Sequence, residues 1–115
     1  MAERKLGVAI HGAGSVARAH VASWLKIPRA KIVSVSSRRL ESAQRLAAEF
    51  QLDSAVTDDY AAVLRDKRVD VVNISGPNHV HAEQAIAAAK AGKHLMIEKP
   101  ICITAEENRA LRDAV

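Results

Sequence analysis

The chain is 115 residues long, 49% apolar and 26% charged, with a formal net charge of +4 and a single cysteine, Cys102. That is the profile of one globular domain, and a lone cysteine excludes an internal disulfide. No apolar run approaches the roughly 18 residues of a membrane span, and the scattered basic residues lack the interleaved aromatic platform of a nucleic-acid surface.

The opening stretch, Met1 through Glu3, Arg4 and Lys5, has no apolar h-region or small-residue cleavage site. With the unpaired thiol, it points to a reducing compartment and a cytoplasmic protein. Aromatics are limited to Trp24, Phe50 and Tyr60, so the core is to be built from Ala, Val, Leu and Ile, as in parallel sheets.

Leu6 to Ile10 is a short apolar run and the first predicted strand. A glycine turn follows, then a helix over 15–26 with Val16, His20, Val21, Trp24 and Leu25 as its buried stripe, stopped by Pro28. Lys31 to Ser36 is β-branched and alternating, a second strand. A helix over 40–50 turns Ala43, Leu46, Ala47 and Phe50 inward, and Ala55 to Thr57 is a short third strand. Asp58 or Asp59 caps a helix to Lys67, and Asp70 to Ser75 is a fourth strand broken by Gly76-Pro77-Asn78. An alanine-rich helix over 79–91 ends before Gly92, and His94 to Glu98 is a fifth strand. Thr104 with Glu107 is a capping-box pair opening a last helix to Val115.

Alternating strands and helices predict an α/β, Rossmann-type, doubly wound parallel sheet in the order 3-2-1-4-5, ending before a sixth strand. Ligands of such sheets sit beyond the carboxyl ends of the strands at the switch point, here between strands one and four. The glycine turn and the 75–78 loop both fall there.

Gly12, Gly14 and Ala17 fit G-x-G-x-x-G/A, the turn that lays a dinucleotide's pyrophosphate on a helix N-terminus. The N–H groups there, including those of Ser15 and Val16, favour a dianion. At the end of the second strand, where an NAD site carries a carboxylate, the chain reads Ser36-Ser37-Arg38-Arg39. Hydroxyls and a guanidinium suit the 2′-phosphate of NADP, and Arg38 can stack on adenine, so NADP is expected over NAD. His79 and His81, two apart on a helix, face different ways and make no metal site. Both are expected on the first turn of a helix facing the cleft, while His11 and His20 read as local packing or hydrogen-bonding residues. Cys102 has no partner base and is no nucleophile. Glu98-Lys99-Pro100 closes the fifth strand on the same side. A lysine held there, desolvated and with a lowered pKa, can exchange a proton with a hydroxyl being oxidised.

Three blocks, V-A-I-H-G-A-G-S-V-A, D-V-V-N-I-S-G-P-N-H-V-H-A-E-Q-A-I and A-G-K-H-L-M-I-E-K-P-I, resemble the N-terminal domain of the glucose-fructose oxidoreductase/inositol dehydrogenase/rhizopine-catabolism (Gfo/Idh/MocA) family. The resemblance implies an NAD(P)-dependent dehydrogenase moving hydride to or from a sugar, cyclitol or related alcohol. It implies that Lys99 assists proton transfer and that Glu98 and Pro100 shape the nicotinamide pocket. It also implies that Ser75, Pro77, Asn78 and His81 line the cofactor; Gly76 stands where the family more often has Thr. Family members carry a C-terminal substrate domain, so residues 1–115 are expected to be an incomplete NAD(P)-binding domain. NADP(H) is its expected ligand and self-association its expected state. A stand-alone, non-catalytic NADP(H)-binding module, as a sensor or partner subunit, is the alternative.

Overall fold

A computed structural model describes residues 4–115; Met1 and Glu3 of the charged leader lie outside the described residues. Five strands, β1 (Leu6–His11), β2 (Ala30–Ser36), β3 (Ala55–Thr57), β4 (Val71–Ile74) and β5 (His94–Ile97), form one sheet in the order β3-β2-β1-β4-β5. Every neighbouring pair is parallel. The helices are α1 (Ser15–Trp24), α2 (Leu40–Glu49), α3 (Tyr60–Arg65), α4 (His81–Lys90) and α5 (Ala105–Ala114).

Strand alternation divides the core into two layers. Val8 and Ile10 of β1 pack with Ala17 and Val21 of α1 and with Ala43, Leu46 and Ala47 of α2. Ala9, Val72 and Ile74 pack on the opposite face with Val63 of α3, Ala85 and Ala88 of α4, and Leu111 of α5. The small alanines let helices lie close to the sheet, which explains how so few aromatics suffice.

The pairing of β1 with β2 slips by one: Val8 faces Ile32, but Ala9 faces Ser34. The extra residue, Val33, resets the phase of β2. Ile32 and Val35, three apart, therefore both face the α1–α2 layer, and Val33 packs in the other. Gly7 is fixed by a different contact. A Cβ there would lie 1.8 Å from the Arg68 carbonyl oxygen. Asp70 accepts from the Gly7 N–H at 2.7 Å and from both terminal nitrogens of Arg4, which together hold its carboxyl below the usual carboxylate range, the Arg4 bonds contributing most.

The first helix is shorter and turned relative to expectation. It ends at Trp24 with Leu25 as its cap, and Val16 and Leu25 are exposed at 44% and 54%. Ala17 and Val21, four apart, form the buried line instead. α2 ends in a Schellman turn: Leu52 N–H donates to the Ala47 carbonyl and Gln51 N–H to that of Ala48, with Gln51 at φ +53. α3 stops at Arg65 rather than Lys67, and Asp59 is its cap, accepting from Ala62 N–H. The stretch after β4 makes a single 3-10 turn, Asn78–Val80, before α4 begins. The Thr104–Glu107 capping box is formed in full. No helix among the described residues is long and apolar enough to cross a membrane.

Candidate functional site

A row of backbone hydrogen bonds runs along the carboxyl ends of the strands. Ser37 N–H donates to Thr57, Gly12 to Ser36, Ser75 to His11, and Glu98 to Ile74. The row sets the Ser37–Arg39 loop, the glycine turn, the Ser75–Pro77 loop and the Glu98–Pro100 turn side by side. At about 5 Å per strand, the glycine turn lies about 5 Å from the first and about 10 Å from the last.

A cavity of about 670 Å³ opens above this row, walled by Gly12, Ala13 and Gly14, by Ser37, Arg38, Arg39 and Ser42, and by Ser75, Gly76 and Pro77. Gly12 has φ +113, and a Cβ on it would lie 2.8–2.9 Å from Gly76 N and from Ser75. Only glycine lets the two loops meet. A Cβ on Gly14, by contrast, would stand in open space. Gly14 caps α1 without a side-chain acceptor, leaving the helix N-terminus to a ligand. The Ser75 hydroxyl oxygen is buried without a partner among the described residues. A glycine cradle, an uncapped helix end and two guanidinium groups fit a phosphate-bearing ligand.

Several expected residues stand elsewhere. Ser36 is fully buried, and its hydroxyl lies 2.7 Å from His11 Nδ1, so it faces the core rather than the cavity. Ser37 lines the cavity but donates its hydroxyl to the Arg39 carbonyl. Ser15, Val16 and Asn78 sit exposed just outside the wall. His81 does not line a cleft: it is fully buried beneath the loops. Its Nε2 lies 2.6 Å from the Gly76 carbonyl oxygen and its Nδ1 2.8 Å from that of Pro100. His81 thus braces the two loops from below, and His79 reaches the cavity instead. Lys99 is exposed rather than desolvated, two residues past the end of β5. Lys99-Pro100 is a cis peptide.

The structure adds residues that the sequence left silent. Ser42, Asp58 and Gln84 line the cavity, so one carboxylate shares it with the arginine pair. His11 and Tyr60 stack at 4.1 Å between ring centres in the cavity floor. Burial lowers His11 from 6.5 to about 4 and raises the Tyr60 hydroxyl. Tyr60 donates to the Gln84 carbonyl at 2.7 Å. Burial, then the Glu107 charge, pushes the Cys102 thiol up, as befits an inert cysteine. Among the described residues no cluster of His, Cys, Asp or Glu could hold a metal ion.

The parallel sheet, with a glycine turn at its switch point and an anion-ready cavity above, defines a dinucleotide-binding Rossmann domain. The chain belongs to the Gfo/Idh/MocA family: residues 6–115 match the family described as oxidoreductase family, NAD-binding Rossmann fold. It is 38% identical over 120 residues to levoglucosan dehydrogenase of Pseudarthrobacter phenanthrenivorans, covering 97% of this chain and 30% of the relative. It is 38% identical over 114 residues to D-glucoside 3-dehydrogenase of Escherichia coli, covering 98% and 32%. A solved levoglucosan dehydrogenase in complex with NADH and levoglucosan superposes with a TM-score of 0.90 at 35% identity, covering 97% of this chain and 32% of that one. The chain therefore spans about a third of the length of these relatives.

Proposed function

We propose that the chain is the cofactor domain of an NAD(P)-dependent dehydrogenase acting on a sugar, cyclitol or related alcohol. The observation that carries the reading is the row of strand ends, which sets an arginine pair, a glycine cradle and the Glu98-Lys99-Pro100 turn in one line. That order matches the adenosine, pyrophosphate and nicotinamide parts of a dinucleotide. Gly14, Ser15 and Val16 hold the pyrophosphate by backbone N–H groups and the α1 dipole, while Gly12, its own N–H given to Ser36, makes the tight turn that admits it. Ser75, Pro77 and Asn78 flank the nicotinamide ribose, while Glu98 and Pro100 border the ring. When bound, a nicotinamide cofactor supplies the hydride chemistry. Lys99 takes or returns the hydroxyl proton of the alcohol. Cover over Lys99, and choice of alcohol, belong to a C-terminal substrate domain.

NADP is the preferred cofactor. Ser36 is committed to His11, and Ser37 spends its proton on Arg39, which leaves Arg38, Arg39 and Ser42 to meet a 2′-phosphate. Two guanidinium groups outweigh the single Asp58 carboxylate at that end. Calorimetric titration tests this: NADPH binds more tightly than NADH, and Arg38→Ala weakens NADPH about tenfold, on the order of one charge-assisted hydrogen bond. Equal affinities, both untouched by Arg38→Ala, refute the 2′-phosphate assignment.

A further inference from the structure

Asn73 is a polar residue with 0% exposure in the middle of β4, where an apolar side chain would be ordinary. Both polar atoms of its amide are engaged. Trp24 Nε1, which can only donate, gives its proton to Asn73 Oδ1 at 3.0 Å. That orients the amide, so Asn73 Nδ2 faces His20 Nδ1 as a donor at 2.9 Å. His20 Nδ1 must then accept, which leaves the ring proton on Nε2. Nε2 lies 2.9 Å from Glu98 Oε2 and donates to it. Each link follows from the one before, and the direction starts at an indole that cannot reverse.

We propose that Trp24, Asn73 and His20 are positioning residues that hold Glu98 for the nicotinamide end of the cofactor. The inference rests on the cofactor reading above and extends it. His20 and Trp24, four apart on one face of α1, belong to the helix whose N-terminus follows the glycine turn. Glu98 closes β5, two strands away from that turn. The chain of bonds thus ties the pyrophosphate-binding helix to the far end of the site. It fixes one carboxylate oxygen and leaves the other, Oε1, to an N–H donor such as a carboxamide. Glu98 keeps 28% of its side-chain surface open for that purpose.

The test uses the 115-residue chain and two probes, NADPH and 2′-phospho-ADP-ribose, which lacks only the nicotinamide. His20→Met, which breaks the chain, weakens NADPH about tenfold and leaves 2′-phospho-ADP-ribose unchanged. His20→Gln, whose amide can accept from Asn73 and donate to Glu98, restores NADPH binding. Equal losses on both probes, or a His20→Gln variant as weak as His20→Met, overturn the proposal. Nitrogen-15 NMR of the wild type provides a check independent of any variant: the proton of His20 resides on Nε2 at neutral pH, and residence on Nδ1 overturns the chain's direction. A wild type that binds neither probe refutes the cofactor reading itself, and this inference falls with it.

Discussion

His11 makes the chain acid-sensitive in a defined pH window. Its ring is 6% exposed, stacked on Tyr60 and bonded to Ser36, and burial lowers it from 6.5 to about 4. Above 6.5 the ring is neutral in both folded and unfolded chains, so pH has no leverage through it. As pH falls from 6.5 toward 4, the unfolded chain takes up the proton and the folded chain does not. Stability is lost at up to about 1.4 kcal/mol per pH unit, reaching roughly 3 kcal/mol near pH 4. That is a large share of the 5–15 kcal/mol typical of a domain. The carboxylates Asp66 and Asp70, both held low by arginine partners, lose their contributions only in more acidic solution. Urea unfolding at pH 7, 5.5 and 4.5 separates the two groups. His11→Asn keeps a donor toward Ser36 and does not titrate, so its stability is flat from pH 7 to 5 where the wild type falls. Parallel pH profiles for the two proteins refute the buried neutral ring.

Gly7→Ala places a methyl 1.8 Å from a backbone carbonyl oxygen and costs at least about 3 kcal/mol in urea unfolding, or prevents folding; a loss below 1 kcal/mol contradicts the close approach. Lys99→Ala, made in a protein that includes a substrate domain, lowers turnover by about a hundredfold and leaves NADPH affinity unchanged, as measured by steady-state kinetics and titration. Self-association through the β5 side is expected, because Met96, Ile101 and Ile103 are exposed beside an edge strand. The expected outcome in sedimentation is a mass that rises with concentration, and a monomer at every concentration refutes it.

The strand order was legible because each strand is a short apolar run with a clear breaker, and because crossovers between parallel strands have a preferred hand. Gly12 was legible for the same reason: its place after the first strand makes the motif specific. The end of α1 was not. Pro28 marks only the latest point at which a helix can stop, and Leu25 and Lys26 turn before it. α2 ends on Gln51 in a left-handed conformation that sequence patterns assign to glycine. His81 illustrates the limit for sites. A histidine next to a ligand loop looks like a ligand contact, yet two carbonyl oxygens hold it beneath the floor. Asn73 carried a signal that was readable, a lone amide inside D-V-V-N-I-S, but its partners lie on a helix 49 and 53 residues away in sequence.

The slip between Val8 and Ala9 makes β2 tolerant of losing one residue, at a place that composition conceals. Remove Val33 and Ile32 stands two residues before Val35, the spacing that keeps both on one face of a regular strand: Val35 stays in the α1–α2 layer and Ser36 stays with His11. Arg38 and Arg39 would still emerge beside the glycine turn, and the loss would be Val33's own packing in the other layer. Deleting that single codon would leave unchanged which phosphate the cavity can read.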